Sequence, residues 1–451
     1  MPELTKLQPH QPWTAPPAAG PVRTSLRLPG SKSMTARALV LSAIGAGPAT
    51  IAWPLRARDT TLMATGLAAL GVGVETGPDE RWSVRPAALR GPTQIDVGLA
   101  GTIMRFLPAV AGLADGPVDF DGDPHSRSRP LGPLLDGLRE LGLRIDAAPG
   151  GGLPMTVHGT GEVPGGEVHV DASGSSQFVS GLLLTAPRFT KGVLVRHVGP
   201  TLPSAPHVRM TVRMLRAAGA VVDDSTPDTW RVEPGELPGH DFTVEPDLSG
   251  AMPFFAAALV TGGEVTLTGW PAESAQPVRQ LIELIEQLGG TATVGPAGLT
   301  VTGTGTVHGL TADLREVGEL TPVLAALAAL ADSPSRLTGV AHIRGHETDR
   351  LAALATELSG LGAQVTELPD GLRIEPRPLR GGAFRTYDDH RMAHAAAVLG
   401  LLVPGIELDD VACTAKTLPQ FPTLWSMVTA GTGPDEQPTV AADDRNALAD
   451  S

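Results

Sequence analysis

Hydrophobic and polar positions follow two recurring patterns along the chain. In the first, apolar residues at helical spacing lead to a Leu-Gly or Ala-Gly pair, and a segment of alternating apolar and polar residues follows. This order predicts an amphipathic helix, a glycine with positive φ just after its end, and then a strand. The five glycines lie 70 to 77 residues apart and are Gly71, Gly142, Gly219, Gly289 and Gly362.

The second pattern is a helix rich in Ala and Leu, followed by a short polar loop and a strand with one buried face. Such uniformly apolar helices are predicted to be buried. Six units of about 72 residues, each with two helices and roughly four short strands, account for nearly the whole chain. The six copies are "ARALVLSAIGAGPATI", "MRFLPAVAGLADGPVDF", "FVSGLLLTAPRFTKGVLV", "MPFFAAALVTGGEVTL", "TPVLAALAALADSPSRL" and "RMAHAAAVLGLLVPGIEL".

Composition narrows the class of protein. A chain of 451 residues with 42% hydrophobic and 18% charged residues is globular and too long for one core, so we expect two or more domains or a repeat array. A net charge of −14 and an aromatic content of 4% argue against a general nucleic-acid binder. The longest uncharged apolar helix, "TPVLAALAALA", is shorter than the roughly 20 residues that span a membrane. With no signal-peptide pattern in the first twenty residues, we expect a cytoplasmic protein.

The single cysteine, Cys413, excludes an internal disulfide and suits a reducing compartment. It is a candidate nucleophile, although a lone cysteine is more often a small buried apolar side chain. The loop "LPGSKSMTAR" resembles a nucleotide-binding loop, but that pattern needs Gly immediately before the Lys, and Ser31 precedes Lys32.

A polar segment precedes each of the six Ala/Leu-rich helices. These segments are rich in Gly, Ser and Thr, which cap helices and leave backbone N–H groups free, and helix N-termini attract anions. An extended solenoid would explain the repeats but not the divergence of these segments. If the units are arranged with pseudo-symmetry, several helix starts converge on one place, and an anionic ligand is predicted there. The segments are "GSKSMTAR", "GLAGTIMR", "ASGSSQF", "PDLSGAMPF", "GELTPV" and "YDDHRMA".

With these segments aligned, residues from about 25 to 428 resemble the EPSP synthase family of 3-phosphoshikimate 1-carboxyvinyltransferases. The motifs that carry the resemblance, in the family's order, are "LPGSKS…R", "AGTIMR", "SRSRPLGPLLDGL", "SSQF", "HETDRL", "DDHRMA" and "CTAKTLPQFP". The resemblance implies a two-domain α/β fold, an inside-out α/β barrel of six βαβαββ repeats with three repeats per domain around a pseudo-threefold axis.

The resemblance also implies the domain limits. The N-terminal domain, on the shikimate 3-phosphate side, spans 31–244. The C-terminal domain, on the phosphoenolpyruvate side, comprises 1–30 and 245–451, and the chain crosses between domains near 28–30 and 243–250. The polar termini, about 1–20 and 431–451, are expected to be frayed.

The implied reaction joins shikimate 3-phosphate and phosphoenolpyruvate by addition and elimination and releases phosphate, in the synthesis of chorismate and aromatic amino acids. It needs no metal and no organic cofactor. Substrate-driven domain closure and a monomer are expected. Glyphosate is the family's inhibitor.

Site residues carry over by position from the family's motifs. The implied catalytic residues are Glu319, Lys32 and Glu347, the last as acid–base partner of Lys32. The implied shikimate 3-phosphate ligands are Lys32, Ser33, Arg37, Ser175, Ser176, Ser204, Glu319 and His346. The implied phosphoenolpyruvate ligands are Lys32, Gly101, Arg129, Gln177, Arg350, Arg391 and Lys416, with Arg105 as a supporting cation or a structural ion-pair member.

Five positions depart from the family's usual pattern. Glu319 replaces the usual Asp and keeps the carboxylate with one more methylene. His346 replaces a common Lys, so shikimate 3-phosphate affinity is hypothesised to depend on pH near neutrality. Leu99 replaces an Asn, His207 an aromatic residue, and Phe106 a Pro near the region that sets glyphosate sensitivity, which leaves the response to glyphosate open.

Three alternative interpretations remain at this point. The sister family, UDP-N-acetylglucosamine enolpyruvyltransferase, shares the fold and typically uses a Cys or Asp as general acid; the corresponding region here has no Cys, but Asp121 and Asp123 are conceivable. An inactive homologue that still binds shikimate 3-phosphate is compatible with Glu319 and Leu99. A non-enzymatic repeat scaffold would explain the six helices but not the cations at the unit boundaries.

Overall fold

A computed structural model describes residues 12–77 and 80–430. The prediction of frayed termini falls mostly outside these residues, at 1–11 and 431–451. Between 12 and 20 the prediction is wrong. Trp13 and Thr14 form a strand that pairs with Glu407 and Leu408, and Ala15 is fully buried.

The described residues contain twelve α-helices. They are α1 (Lys32–Ile44), α2 (Arg58–Ala69), α3 (Gly101–Ala111), α4 (Gly132–Glu140), α5 (Gln177–Thr185), α6 (Ala205–Ala217), α7 (Leu248–Thr261), α8 (Val278–Gln287), α9 (Thr321–Leu330), α10 (Arg350–Gly360), α11 (His390–Gly400) and α12 (Phe421–Thr429). None of the helices in the described ranges is both long and apolar enough to cross a membrane.

The strands are short. They are β1 (Trp13–Thr14), β2 (Arg23–Leu26), β3 (Ala49–Ala52), β4 (Gly73–Glu75), β5 (Arg81–Arg85), β6 (Thr93–Asp96), β7 (Asp115–Asp121), β8 (Arg144–Ala148), β9 (Gly152–Thr160), β10 (Gly166–Val170), β11 (Val193–His197), β12 (Val222–Asp223), β13 (Thr229–Val232), β14 (Phe242–Thr243), β15 (Glu264–Leu267), β16 (Thr291–Gly295), β17 (Gly298–Thr302), β18 (Thr311–Asp313), β19 (Ser335–Thr338), β20 (Gln364–Leu368), β21 (Gly371–Glu375), β22 (Gly382–Phe384) and β23 (Ile406–Leu408).

The same small sheet recurs six times. In the sheet β6-β7-β9-β8, the first two strands are parallel and are joined through α3, and the other two strands are antiparallel additions. Parallel neighbours need such a crossover helix, so each unit reads βαβαββ. Four further sheets repeat this order, and the sixth, β1-β23-β22, has three strands because β1 takes the place beside β23.

In two sheets the first strand is distant in sequence from the other three. Strand β14 runs parallel to β3, whereas β2, which precedes α1, runs parallel to β15. The chain therefore crosses twice: β1 and β2 belong to the sheets of the later residues, the segment from α1 to β14 forms the first group of sheets, and the chain then returns. The two crossings lie side by side, since Ser31 N–H donates to the Glu245 carbonyl at 2.7 Å.

Buried apolar side chains form two separate clusters. One is drawn from Met34 to Val244 and the other from Ala15 to Leu28 together with Leu248 to Val428. We call the parts of the molecule around them the first lobe and the second lobe. The fold-class prediction is confirmed, and the domain limits drawn from the sequence stay a prediction.

The Ala/Leu-rich helices lie in the interior, as the pattern predicts. Helices α1, α3 and α5 contact one another in the first lobe, and α7, α9 and α11 do so in the second. Small side chains allow this close packing. The outer helices end at the predicted glycines, whose φ values lie between 91° and 113°, a region that only glycine adopts at low cost.

Candidate active site

One cleft between the lobes receives the starts of all six interior helices. From the first lobe it is lined by Lys32, Gly101 and Gln177, the first residues of α1, α3 and α5. From the second lobe it is lined by Leu248 and His390, the first residues of α7 and α11, and by Leu320, which directly precedes α9. The convergence inferred from the repeat pattern is therefore present.

The helix starts give the cleft a positive potential before any side chain is counted. Helices α1, α3, α5 and α9 have no side-chain cap and no acidic residue in the first turn. The N–H groups in the first turns of α1 and α3 are thus available to an anionic ligand, whereas Gln177 N–H at the α5 start donates to Ser175 Oγ and Thr321 N–H at the α9 start donates to the Gly318 carbonyl. Helices α7 and α11 are instead capped by Asp247 and Asp389.

Lys32 is paired with a carboxylate that the sequence did not single out. Its Nζ lies 3.1 Å from Oδ2 of Asp59, which is 3% exposed. The expected partner, Glu347, instead contacts Lys416 and Arg350. Asp59 lies in the first turn of α2, the outer helix of the first unit. Two predicted site residues, Arg129 and Lys416, also lie within a few residues of the start of an outer helix. The repeat pattern therefore indicated that the start of α2, which contains Asp59, would lie near the site.

Arg350 is fully buried and surrounded by acceptors. Its Nε and Nη2 donate to Asp389 at 2.7 and 3.1 Å, Nη1 donates to Glu319 at 3.0 Å, and Nη2 also donates to Glu347 at 3.0 Å. A fifth contact joins Nη1 to His346 Nδ1 at 3.2 Å. A guanidinium has five N–H groups, so none is left for a ligand unless a carboxylate gives way.

Glu319 lines the cleft at 30% exposure and faces three basic groups. Its carboxylate lies 3.0 Å from Arg350 Nη1, 3.3 Å from His346 Nδ1 and 3.4 Å from Arg391 Nε. Burial raises the pKa of Glu319, but the charge of Arg350 and the contact with His346 outweigh burial and hold the pKa well below its usual range. Glu319 is therefore an ionised hydrogen-bond acceptor at neutral pH.

Glu347 and Lys416 form a partly buried pair on the same side of the cleft, each 13% exposed. Burial raises the pKa of Glu347, and the charges of Lys416 and Arg350 reverse that effect and lower it well below its usual range. Burial lowers the pKa of Lys416, whereas Glu347 and then Asp59 raise it above its usual value. Both side chains are charged at neutral pH.

Two arginines meet at the start of α3. A Cβ built on Gly101 would lie 2.5 Å from Arg105 Nη1 and 3.2 Å from Arg129 Nη2, so any larger residue there would have to displace these guanidinium ends. Arg105 Nη1 donates to Gln177 Oε1 at 3.0 Å. Burial and the neighbouring Arg129 lower the pKa of Arg105 to about 9.

Leu99, which had no explanation from the sequence, contributes its backbone. Arg129 Nη1 donates to the Leu99 carbonyl at 2.9 Å. The acceptor is a backbone carbonyl, which every residue has, so an apolar side chain at this position leaves the contact in place.

Arg37 lies behind Ser33 and is 1% exposed. Its Nη1 donates to the Ser33 carbonyl at 2.9 Å, Nε donates to Thr211 at 2.7 Å, and Nη2 reaches Ser180 and the His207 carbonyl at 3.1 Å. All four acceptors are uncharged. Burial lowers the pKa of Arg37 to about 9, so the side chain keeps its charge at neutral pH without a carboxylate partner of its own.

The serines predicted to hold a phosphate gather on the first-lobe side. Ser175 and Ser204 line the cleft, and Ser176 is buried at the start of α5. Ser204 has a left-handed backbone (φ 50°), and its N–H donates across the lobes to the Arg315 carbonyl at 2.7 Å. Beside it, burial lowers the pKa of His207 to about 4, so this imidazole is neutral at pH 7.

Several buried guanidinium nitrogens in the cleft have no acceptor among the described residues. They are Nε of Arg105, Nε of Arg129, and Nε and Nη1 of Arg391. The carboxylate of Glu319 is 3.4 Å from Arg391 Nε but is not aligned for a hydrogen bond. Unmet donors on buried cations are costly, and an anionic ligand would satisfy them.

Other second-lobe residues in the cleft escaped the sequence analysis. Ser249 Oγ accepts from Arg391 Nη2 at 2.8 Å, and Asp247 Oδ1 lies 3.9 Å from the same nitrogen. Both lie in the segment before α7, which was expected to approach the cleft, but no motif distinguished them from ordinary capping residues. His390 also lines the cleft, and burial holds its pKa well below the usual range.

Cys413 is outside the cleft lining, and burial raises the pKa of its thiol, which favours the interpretation as a buried apolar side chain. In the ranges 12–77 and 80–430, no three His, Cys, Asp or Glu side chains are grouped so that they could hold a metal ion.

The fold and the cleft define an enolpyruvyl transferase. An EPSP synthase from Acinetobacter baumannii superimposes with a TM-score of 0.79 at 25% identity, over 93% of this chain and 98% of that one. The enolpyruvyl transferase NikO from Streptomyces tendae shares the fold, with a TM-score of 0.75 at 19% identity over 94% of this chain and 98% of that one.

The particular family follows from sequence similarity. The EPSP synthase (3-phosphoshikimate 1-carboxyvinyltransferase) family model matches residues 17–425. A 3-phosphoshikimate 1-carboxyvinyltransferase from Mycobacterium ulcerans (strain Agy99) is 52% identical over 430 residues, which cover 93% of this chain and 98% of the relative. The chain belongs to the EPSP synthase family, and the family predicted from the motifs is confirmed.

Proposed function

We propose that the cleft binds shikimate 3-phosphate and phosphoenolpyruvate together and transfers the enolpyruvyl group to the 5-hydroxyl. Addition protonates C3 of phosphoenolpyruvate while the 5-hydroxyl oxygen bonds to C2. Elimination then removes a proton from C3 and breaks the bond between C2 and the phosphate oxygen. The products are 5-enolpyruvylshikimate 3-phosphate and phosphate.

The observation that carries this proposal is the set of unpaired guanidinium donors on Arg105, Arg129 and Arg391. They line the cleft together with the uncapped starts of α3 and α5. Phosphoenolpyruvate brings a phosphate and a carboxylate, and shikimate 3-phosphate brings one of each, so the four anionic groups have donors on every side. Exclusion of water would strengthen each of these contacts.

The shikimate 3-phosphate side is the first lobe. Ser175, Ser176 and Ser204 would donate hydroxyl groups to the phosphate, while Ser33 and Arg37 would bind at the carboxylate end. Arg37 has no carboxylate partner in the protein, which supports this role, although its contacts with Thr211 and Ser180 must rearrange for a bidentate pair. His346, beside Glu319, would reach this substrate from the second lobe.

The phosphoenolpyruvate side would use cations from both lobes. One anionic group would bind to Arg129 and to the start of α3 at Gly101. Gln177, which accepts a hydrogen bond from Arg105, would lie beside it. The other anionic group would bind to Arg391 and Lys416. Arg350 has every donor engaged, so a direct bond from it requires that Glu347 exchange partners. Its binding role stays a prediction, and its present contacts make it a positioning residue for the carboxylates.

Glu319, Lys32 and Glu347 are proposed as the proton-transfer groups. Glu319 is ionised and would accept hydrogen bonds from the shikimate hydroxyls. Lys32 would stand between the substrates; it directly follows one crossing of the chain and pairs with Asp59. Glu347 would exchange a proton with phosphoenolpyruvate once ligand binding loosens its pairs with Lys416 and Arg350.

Closure of the lobes on the substrates is part of the proposal. Lys32 follows one crossing directly, and Leu248 begins α7 just after the other. Movement about the crossings would therefore bring cations of the second lobe toward a ligand held by the first. The domain limits at 30/31 and 244/245, the monomeric state and a cytoplasmic location are expectations that accompany this proposal.

Phosphate release tests the proposal directly. Purified protein would receive phosphoenolpyruvate with shikimate 3-phosphate, with UDP-N-acetylglucosamine, or with both acceptors in competition. Release that depends on shikimate 3-phosphate and is unaffected by the sugar nucleotide supports the proposal. Release with UDP-N-acetylglucosamine alone would show the sister activity, whereas binding of shikimate 3-phosphate without release would show an inactive homologue.

A further inference from the structure

A second cavity lies next to the cleft and is also shared by the two lobes. Its walls are helix α6 of the first lobe and residues 270–280 of the second. Gln276, Pro277 and Glu316 line both this cavity and the cleft, so only one layer of residues separates them. We call it the α6–α8 groove.

The groove is cationic in a protein whose net charge is −14. Arg209, Arg213 and Arg216 follow one another at helical spacing on one face of α6, and Arg279 faces them from α8. The lining contains only two carboxylates, Asp224 and Glu316. They pair with Arg216 at 2.6 Å and with Arg209 at 2.9 Å.

Arg213 at the centre of this row has no carboxylate partner among the described residues. Its Nη2 donates to the backbone carbonyl of Glu273 at 3.0 Å, across the lobes. Arg279 contacts Glu283 on the outer face of α8 at 3.5 Å, and both side chains are largely exposed. The groove therefore has more cationic donors than it has acceptors for them.

Neutral donors add to the arginines. Helix α8 begins at Val278 with neither a capping side chain nor an acidic residue in its first turn. Trp270, which also lines the groove, is 5% exposed, and its indole Nε1–H has no hydrogen-bond partner in the described structure. Because the Nε1 atom itself is buried, Trp270 serves as a reporter in the groove wall, and the arginines and the α8 start are the donors that face a ligand.

The groove is tied to the second crossing, which lies against the first crossing just before Lys32. Glu245 lies on the crossing and is held by three donors from the groove wall: Ser274 Oγ at 2.6 Å, Ala275 N–H at 2.7 Å and Gln276 Nε2 at 3.0 Å. The Glu245 carbonyl in turn accepts from Ser31 N–H at 2.7 Å, one residue before Lys32. Any shift of 274–276 is thus passed to the start of α1.

We propose that the α6–α8 groove binds a small organic polyanion, carrying phosphate or carboxylate groups, and that its occupancy biases the relative position of the lobes. A ligand held by the arginines of α6 on one side and by the α8 start on the other connects the two lobes outside the cleft. The binding site stands independently of the proposed function, and its effect on substrate affinity rests on that function.

Indole NMR tests binding without catalysis. Protein labelled with ¹⁵N-tryptophan gives six indole signals, and Trp270→Phe identifies that of Trp270. Titration with pyrophosphate and with citrate is expected to move this signal saturably, with a Kd of about 1 mM or tighter for at least one probe. Arg213→Glu should weaken binding by about tenfold or more. Arg231→Glu is the matched control, because Arg231 is an exposed arginine outside the groove lining and undergoes the same charge change.

Three results would overturn the site. The first is a Trp270 signal that neither pyrophosphate nor citrate moves. The second is equal affinity of Arg213→Glu and Arg231→Glu for the probe. The third is a response that Arg129→Ala abolishes, which would place the ligand in the cleft. Repeating the titration with saturating shikimate 3-phosphate tests the coupling, and we expect the groove Kd to change by about threefold or more. An unchanged Kd overturns the coupling. Failure of shikimate 3-phosphate to bind would instead contradict the proposed function and leave the groove result standing.

Discussion

Removing Arg350 is the sharpest test of how the cleft is held together. The side chain is fully buried and neutralises three carboxylates, of which Asp389 is also fully buried. Deleting one member of a buried ion cluster leaves uncompensated charge and costs roughly 3–5 kcal/mol. At about 2–4 °C per kcal/mol for a domain of this size, Arg350→Ala should lower Tm by roughly 6–20 °C at pH 7.5.

The Tm deficit of Arg350→Ala should also depend on pH, in a direction that the pKa values of the carboxylates determine. In the wild type the pKa values of Glu319 and Glu347 are held well below their usual range, so their stabilising effect is present at neutral pH and is lost only as the pH falls through these lowered values. Without Arg350, both pKa values rise relative to the wild type, chiefly that of Glu319, because Arg350 is the largest charge that lowers it, whereas Lys416 stays beside Glu347. Protonation then relieves the repulsion, and the Tm deficit of Arg350→Ala should shrink between pH 7.5 and pH 5.

Differential scanning calorimetry at a fixed scan rate, at pH 5, 6 and 7.5, measures both effects. Arg373→Ala is the control, because Arg373 is 57% exposed and its pair with Glu375 is a surface ion pair worth at most about 1 kcal/mol. A Tm for Arg350→Ala within about 2 °C of wild type, or a deficit that grows on acidification, would refute the assignment of Arg350 as the organising cation.

Three kinetic predictions follow from the cleft. Lys32→Ala should lower kcat by about 100-fold or more in steady-state assays. Arg37→Ala should chiefly raise KM for shikimate 3-phosphate. Near-normal turnover of Lys32→Ala would contradict the central role of this lysine. Gly101→Ala should raise KM for phosphoenolpyruvate and leave Tm nearly unchanged, because the added Cβ displaces flexible guanidinium ends such as that of Arg129. KM for shikimate 3-phosphate should vary between pH 6 and 8 in the wild type and not in His346→Gln, and a flat wild-type profile would exclude the histidine hypothesis.

The last of these predictions is specific to one histidine because two neighbours do not titrate in that range. Burial lowers the pKa values of His207 and His342 to about 4, so both imidazoles are neutral throughout pH 6 to 8. His346 lies beside Glu319 and contacts Arg350, so its protonation would be felt by both.

The sequence predicted local features well because each rests on short-range physics. The glycines after the outer helices need positive φ, and Ala/Leu-rich helices must be buried, so both patterns are visible without a structure. The exception at the N-terminus is instructive. The segment containing Trp13 and Ala15 looked frayed because it is short and rich in Pro and Ala, and only the open edge at β23 gives it a partner.

The sequence by itself determined the six-unit plan, the six helix starts and the family, since all of these depend on periodicity and motif order. Only the tertiary structure decided which charges meet. Lys32 pairs with Asp59 instead of Glu347, and Arg350 is fully engaged by carboxylates. The reason is that Lys32–Asp59, Arg350–Glu319 and Arg350–Asp389 join residues 27, 31 and 39 positions apart, and their distances are set by how the units pack, whereas Arg350–Glu347 alone of these pairs is local, at three positions. No local pattern in the chain encodes that packing.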